Sequence, residues 1–112
     1  MASLVPLNTF KTLTANVTTT SQAVYTTPAG VSTVVLLAQF ANLSGNTGNV
    51  TMYHTRSNID IELAKQFDIP TKDAGNLLSG RLILESGDSI KVQAGSNNVF
   101  KFIFSYLETA NA

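Results

Sequence analysis

The stretch Leu77-Leu78-Ser79-Gly80-Arg81-Leu82-Ile83-Leu84-Glu85-Ser86-Gly87-Asp88-Ser89-Ile90-Lys91-Val92-Gln93 decides the fold class. It holds an apolar run, a polar turn at Glu85-Ser86-Gly87-Asp88, and a run in which Ile90 and Val92 alternate with Lys91 and Gln93. Strict alternation sends one row of side chains to a core and the other outward. Gly87 can adopt positive φ where the chain reverses, and the Asp88 carboxylate can accept bonds from nearby backbone amides. The pattern predicts a β-hairpin, with Asp88 on a turn and therefore wet.

The same grammar runs outward in both directions. Towards the C-terminus, Gly95-Ser96-Asn97-Asn98 marks a tight reversal. Val99–Leu107 then places Phe100, Phe102, Phe104 and Tyr106 on one face of a strand. Four large rings in one row predict the core. The opposite row contains Ile103 and Leu107, apolar where an outer face is expected to be polar. Either that strand is buried on both sides, or Ile103 and Leu107 belong to an interface.

Towards the N-terminus, Val31–Ala41 is the most apolar segment and is rich in β-branched residues near its start, which predicts a central strand. It follows Thr27-Pro28-Ala29-Gly30, a turn signature. Gln22–Thr26 predicts a short strand with Ala23 and Tyr25 on one face, and Phe10–Val17 one with Lys11, Leu13, Ala15 and Val17 on one face. Val50–Arg56 alternates, between a flexible loop at Leu43–Asn49 and a turn at Ser57-Asn58. Ile59–Ile69 satisfies helical spacing and alternation alike; its strand-rich surroundings favour a strand from about Glu62 to Ile69. Pro70–Gly75 is read as a loop.

About eight strands, with turn signals every ten residues or so and no convincing long helix, predict an all-β fold. The expectation is a single-domain antiparallel β-sandwich or jelly roll over residues 10–112, preceded by a short arm over residues 1–9. Leu4, Val5 and Leu7 on that arm are candidate interface residues, because an arm with apolar side chains packs on its own domain or on a neighbour.

Composition narrows the function. The chain has 112 residues, enough for one domain with a modest core. Only 12% of residues are charged, half the usual share, and 14 Thr, 10 Ser and 10 Asn fill the gap. A surface of short neutral side chains suits packing against other protein. Seven basic residues balance seven acidic ones and none of the basic residues adjoin, which argues against nucleic-acid binding. With no cysteine there is no disulfide and no thiolate metal site. No secretory signal is visible at Met1-Ala2-Ser3, and the longest apolar run, Val34–Ala38, is far too short for a membrane helix.

Chemistry finds little to stand on. His54 is the single histidine, without a nucleophile elbow, and reads as structural. Asp60, Glu62 and Asp68 lack a calcium-loop pattern and read as solvated charges. Glu85 and Asp88 read as turn residues rather than an acid/base pair. No catalytic residue, metal site or cofactor is expected, and the protein is not expected to be an enzyme.

Several segments taken together carry a resemblance. They are Leu4-Val5-Pro6-Leu7 before a Thr-rich strand, then Val24-Tyr25-Thr26-Thr27-Pro28-Ala29-Gly30 leading into the apolar strand. Phe67-Asp68-Ile69-Pro70 with Lys72-Asp73-Ala74 follows, then Gly80-Arg81-Leu82 with Leu84-Glu85 and Gly87-Asp88, and a closing Leu107-Glu108-Thr109. In this order and spacing they resemble small all-β virion proteins of tailed bacteriophages, especially those infecting cyanobacteria. The resemblance implies a non-enzymatic building block of the particle, assembled in the host cytoplasm. The leading expectation is a capsid decoration protein that stabilises the shell by binding the assembled lattice, in small homo-oligomers such as trimers. Its partner would be the major capsid protein or another virion structural protein. A neck, tail or fibre component and a carbohydrate-binding attachment module are the alternatives.

Overall fold

In the computed structural model, which describes residues 8–78, 80–96 and 99–110, all regular structure is β-strand. In chain order the strands are β1 (Asn8–Val17), β2 (Gln22–Thr26), β3 (Val31–Asn42), β4 (Gly48–Arg56), β5 (Ile59–Ile69), β6 (Ala74–Asn76), β7 (Leu82–Leu84), β8 (Ser89–Ala94) and β9 (Phe100–Ala110). They form two antiparallel sheets. The first runs β1-β9-β3-β6, with β7 also on β3, and the second runs β2-β8-β4-β5. The all-β, single-domain, two-sheet expectation is met.

The core is the filling between the sheets. Val17, Val35, Phe40, Phe100, Phe102 and Phe104 of the first sheet meet Val50, Met52, Ile69, Ile90 and Val92 of the second, all of them buried. The predicted aromatic row of β9 is fully in this core. Its rings stack along the strand and against other strands, with centroids 4.7 Å apart for Phe40–Phe102 and 4.6 Å for Tyr25–Tyr106. Tilted rings at such spacing add attraction beyond area burial.

The stretch 77–93 is not a hairpin. The turn itself forms as expected: the Asp88 N–H donates to the Glu85 carbonyl at 2.9 Å and Gly87 has φ +87°. The two arms then join different sheets. β7 pairs with β3, Thr33 opposite Leu84, whereas β8 pairs with β2 and β4. The turn therefore carries the chain across the core. Leu84 packs inward from one sheet and Ile90 and Val92 from the other, so both apolar rows are buried. Nor is 77–84 one strand: among its described residues only Leu82–Leu84 is extended, as β7, while β6 (Ala74–Asn76) begins inside the segment whose sequence predicts a loop, pairs separately with β3 and raises the count to nine.

Smaller differences have local causes. Asn8 and Thr9, assigned to the arm, pair with Thr109 and Glu108 in β1; Leu4, Val5 and Leu7 lie outside the described residues. In β2 a bulge between Ala23 and Tyr25 turns Ala23 outward while Tyr25 stays buried, so the two do not share a face. β5 is a strand, but it starts at Ile59, because Ser57 and Asn58 both take positive φ and close a two-residue hairpin with β4. Two register shifts along β4–β5 explain its double reading, since each bulge resets the alternation.

Candidate interaction surface

Two polar clusters lie near the same end of the sandwich, where Tyr25 of β2 and His54 of β4 both pair with Ile90 of β8. In the first, the Asp88 carboxylate is buried, not wet as its place on a turn predicts. It accepts from Arg56 Nε at 2.9 Å and Nη2 at 2.7 Å, pairs with His54 Nε2 at 3.0 Å, and accepts from the Glu85 N–H at 2.9 Å. The Arg56 guanidinium, chiefly, holds the Asp88 carboxyl far below the usual carboxylate range against the opposing effect of burial. His54 thus serves as a hydrogen-bond partner of Asp88.

The second cluster bridges the sheets. The Tyr25 hydroxyl donates to Glu108 Oε2 at 2.6 Å and lies 2.7 Å from Thr33 Oγ1; Lys11 Nζ donates to Glu108 Oε1 at 2.7 Å. Lys11 and then Tyr25 lower the Glu108 carboxyl, while burial raises the Tyr25 phenol. The Asp88 and Glu108 carboxylates are thus each held by several protein partners. Asp60 accepts from Thr55 at 2.7 Å and pairs with Lys91 at 3.2 Å. Among the described residues no group of three or more His, Asp or Glu could hold a metal ion. Among the described residues no helix is long and apolar enough to cross a membrane.

What remains is a surface. On the outer face of the first sheet, register aligns Phe10 of β1 with Leu107 of β9, Leu107 with Val34 of β3, and Val34 with Ile83 of β7. This is an apolar row across four strands. Phe10 is 74% exposed and Ile83 54%. Leu36, displaced by the bulge between Val35 and Leu37, and Ile103 extend the patch at 40% and 41% exposure. Thr12, Thr14 and Ser105 fill the positions between. Lys101 is the one charge among the described outward positions of this sheet, at one end, bonded to Asn16. An apolar row with so little charge is a candidate for contact with other protein.

The structure places the two described candidates from the sequence on this face: Ile103 is exposed, and Leu107 is half-buried at the centre of the row. Their strand is not buried on both sides. The sequence reading missed Phe10, Val34, Leu36 and Ile83. A signal existed at two of them. Ile83 lies between the inward Leu82 and Leu84, and Phe10 has the opposite parity to Leu13, Ala15 and Val17. Joining them into one row requires the strand order.

No family model matches the chain, and no curated protein is similar to it in sequence. Among solved structures it is similar to a chain of the Bacillus endospore appendages, described as a novel family of disulfide-linked pili. That match has a TM-score of 0.57 at 9% identity and covers 100% of this chain and 99% of the other. It is a likeness of fold over the whole domain.

Proposed function

We propose that the protein is a non-enzymatic structural subunit of a larger particle, bound to its neighbours through the outer face of the β1-β9-β3 sheet. The observation that carries this is the Phe10–Leu107–Val34–Ile83 row, exposed at its two ends, half-buried at its centre and nearly free of charge. The sequence resemblance supports a tailed-phage virion as the particle and capsid decoration as the role, with a capsid or other virion protein as partner. The strand order supports a jelly-roll reading, in which β1 with β9, β2 with β8, β3 with β6 and β7, and β4 with β5 are nested pairs rolled into two sheets. Jelly rolls recur in capsid proteins, an argument by fold analogy.

A second reading, a neck, tail or fibre component, draws on the whole-chain fold likeness to a pilus-forming chain. Any filament of this protein would be held without disulfides, because it has no cysteine.

The test is particle reconstitution. Purified protein added to particles lacking it is expected to bind, and Phe10→Ser with Ile83→Ser is expected to bind at least about tenfold more weakly while staying folded. Undiminished binding by the double variant removes this face from the function. Copy number in purified particles separates the two roles: hundreds for decoration, a dozen or so for a neck or tail part.

A further inference from the structure

Two sheets have four edges, and an open edge invites another strand unless something blunts it. Three of the four are blunted here. β2 is five residues long and bulged. β5 has two register shifts, a positive φ at Gln66, and the charges Asp60, Glu62, Lys65 and Asp68. The β6/β7 edge is broken into two pieces of three residues.

The fourth edge, β1, has none of these devices. It is ten residues long, pairs with β9 without a register shift, and contains no proline or glycine. Its one charge, Lys11, is neutralised by Glu108. Among the described residues no strand pairs with its other side; at its far end the Gln22 side chain donates to the Asn16 carbonyl at 3.1 Å. The open part is therefore residues 8–15, roughly 27 Å of extended backbone at about 3.4 Å per residue.

We infer that β1 pairs antiparallel with β1 of a second copy across a two-fold axis, joining the two β1-β9-β3 sheets into one continuous sheet. This deepens the structural-subunit reading and rests on it. The occupant follows from the edge itself. A two-fold contact requires a patch complementary to itself, and eight residues with one neutralised charge meet that condition. Because the axis stands perpendicular to the sheet, both outward rows stay on the same side. With the axis at residue 12, near the middle of the open stretch, Thr12 opposes Thr12 of the partner, a favourable cross-strand pairing, and Thr14 opposes Phe10. The apolar rows of the two copies lie on one side of the doubled sheet, with their Phe10 ends towards each other, and form a single docking surface twice as wide.

Cysteine cross-linking tests this in a chain that has no cysteine of its own. Thr12→Cys and Thr14→Cys, made singly and together, are compared with Ser105→Cys, which lies on the same outer face one strand in. Mild oxidation is expected to give at least about tenfold more covalent dimer from a β1 variant than from Ser105→Cys, because only residues near the axis reach disulfide distance. Sedimentation of the unmodified protein is expected to show a dimer. Cross-linking at Ser105 equal to or above that at β1 would mean face-to-face stacking and overturns the edge pairing. A monomer with no cross-link at β1 overturns it as well. Either failure leaves particle binding, measured separately with the Phe10 and Ile83 variants, to decide the structural-subunit reading.

Discussion

The Asp88 carboxylate accepts two hydrogen bonds from the Arg56 guanidinium, 2.9 Å from Nε and 2.7 Å from Nη2, so that the sheet-crossing turn is clasped by the end of β4. Planar two-point pairing of this kind fixes geometry as well as charge. Asp88→Ala is expected to leave the Glu85 N–H and Arg56 Nε without their acceptor, Arg56 Nη2 keeping only the exposed Glu85 carboxylate at 3.1 Å, and to cost about 2–3 kcal/mol, read from a urea denaturation midpoint. Glu85→Ala, whose carboxylate is mostly exposed, is expected to leave the midpoint nearly unchanged. Equal effects for the two variants would refute the assignment of the clasp to Asp88.

Acid should loosen the same clasp. Asp88 and Glu108 both have folded-state pKa values below their unfolded ones. Their contribution is complete above the unfolded values, about 4, and is lost as pH falls through the lower folded values. Stability measured at pH 7, 4 and 2.5 is expected to drop over the acid range, and Asp88→Asn is expected to flatten that drop. At the alkaline end Tyr25 has a raised pKa, so its contribution is present below the unfolded value of about 10 and is lost as pH rises through the higher folded value.

Tyr25→Phe isolates the bridge between the sheets. The ring stays in its aromatic cluster with Phe104 and Tyr106, while Thr33 and Glu108 lose the hydroxyl. A cost of about 1–2 kcal/mol is expected, with near-ultraviolet circular dichroism reporting unchanged packing. A loss of packing signal would instead point to a role of the hydroxyl in placing the ring.

Glycines should sort by surroundings. A Cβ on Gly48 would lie 2.7 Å from the buried Phe100 ring, so Gly48→Ala is expected to cost about 1–3 kcal/mol. Gly87→Ala meets no neighbour but keeps a positive φ, for about 1 kcal/mol. Gly45→Ala meets nothing, has no positive φ, and is expected to be silent. Thermal denaturation of the three variants orders them.

What was legible in the sequence was facing rather than pairing. Alternation put Phe100, Phe102, Phe104 and Tyr106 inside and Ile103 on the opposite row, because parity is a local property of a strand; whether that row was buried or exposed stayed open. It could not say that the two arms of the Glu85–Asp88 turn belong to different sheets, since a tight turn between two apolar rows serves a hairpin and a crossing alike. The burial of Asp88 was hidden for a related reason: its partner Arg56 is 32 residues away. Ile59–Ile69 looked both helical and extended because two bulges interrupt its alternation. The interaction surface lay deepest, since Phe10 and Ile83 become neighbours of one row only once β9 and β3 stand between them.

The position of β9 has a consequence for how the molecule comes into being. The last described strand to leave the ribosome is an interior member of its sheet, flanked by β1 and β3. Until residue 110 has been synthesised, those two strands have no common partner. The alignment of Phe10 with Val34 through Leu107 does not yet exist. Such long-range closure is slow and comes late. On the proposed reading, the nascent chain therefore lacks its docking surface until β9 joins β1 and β3.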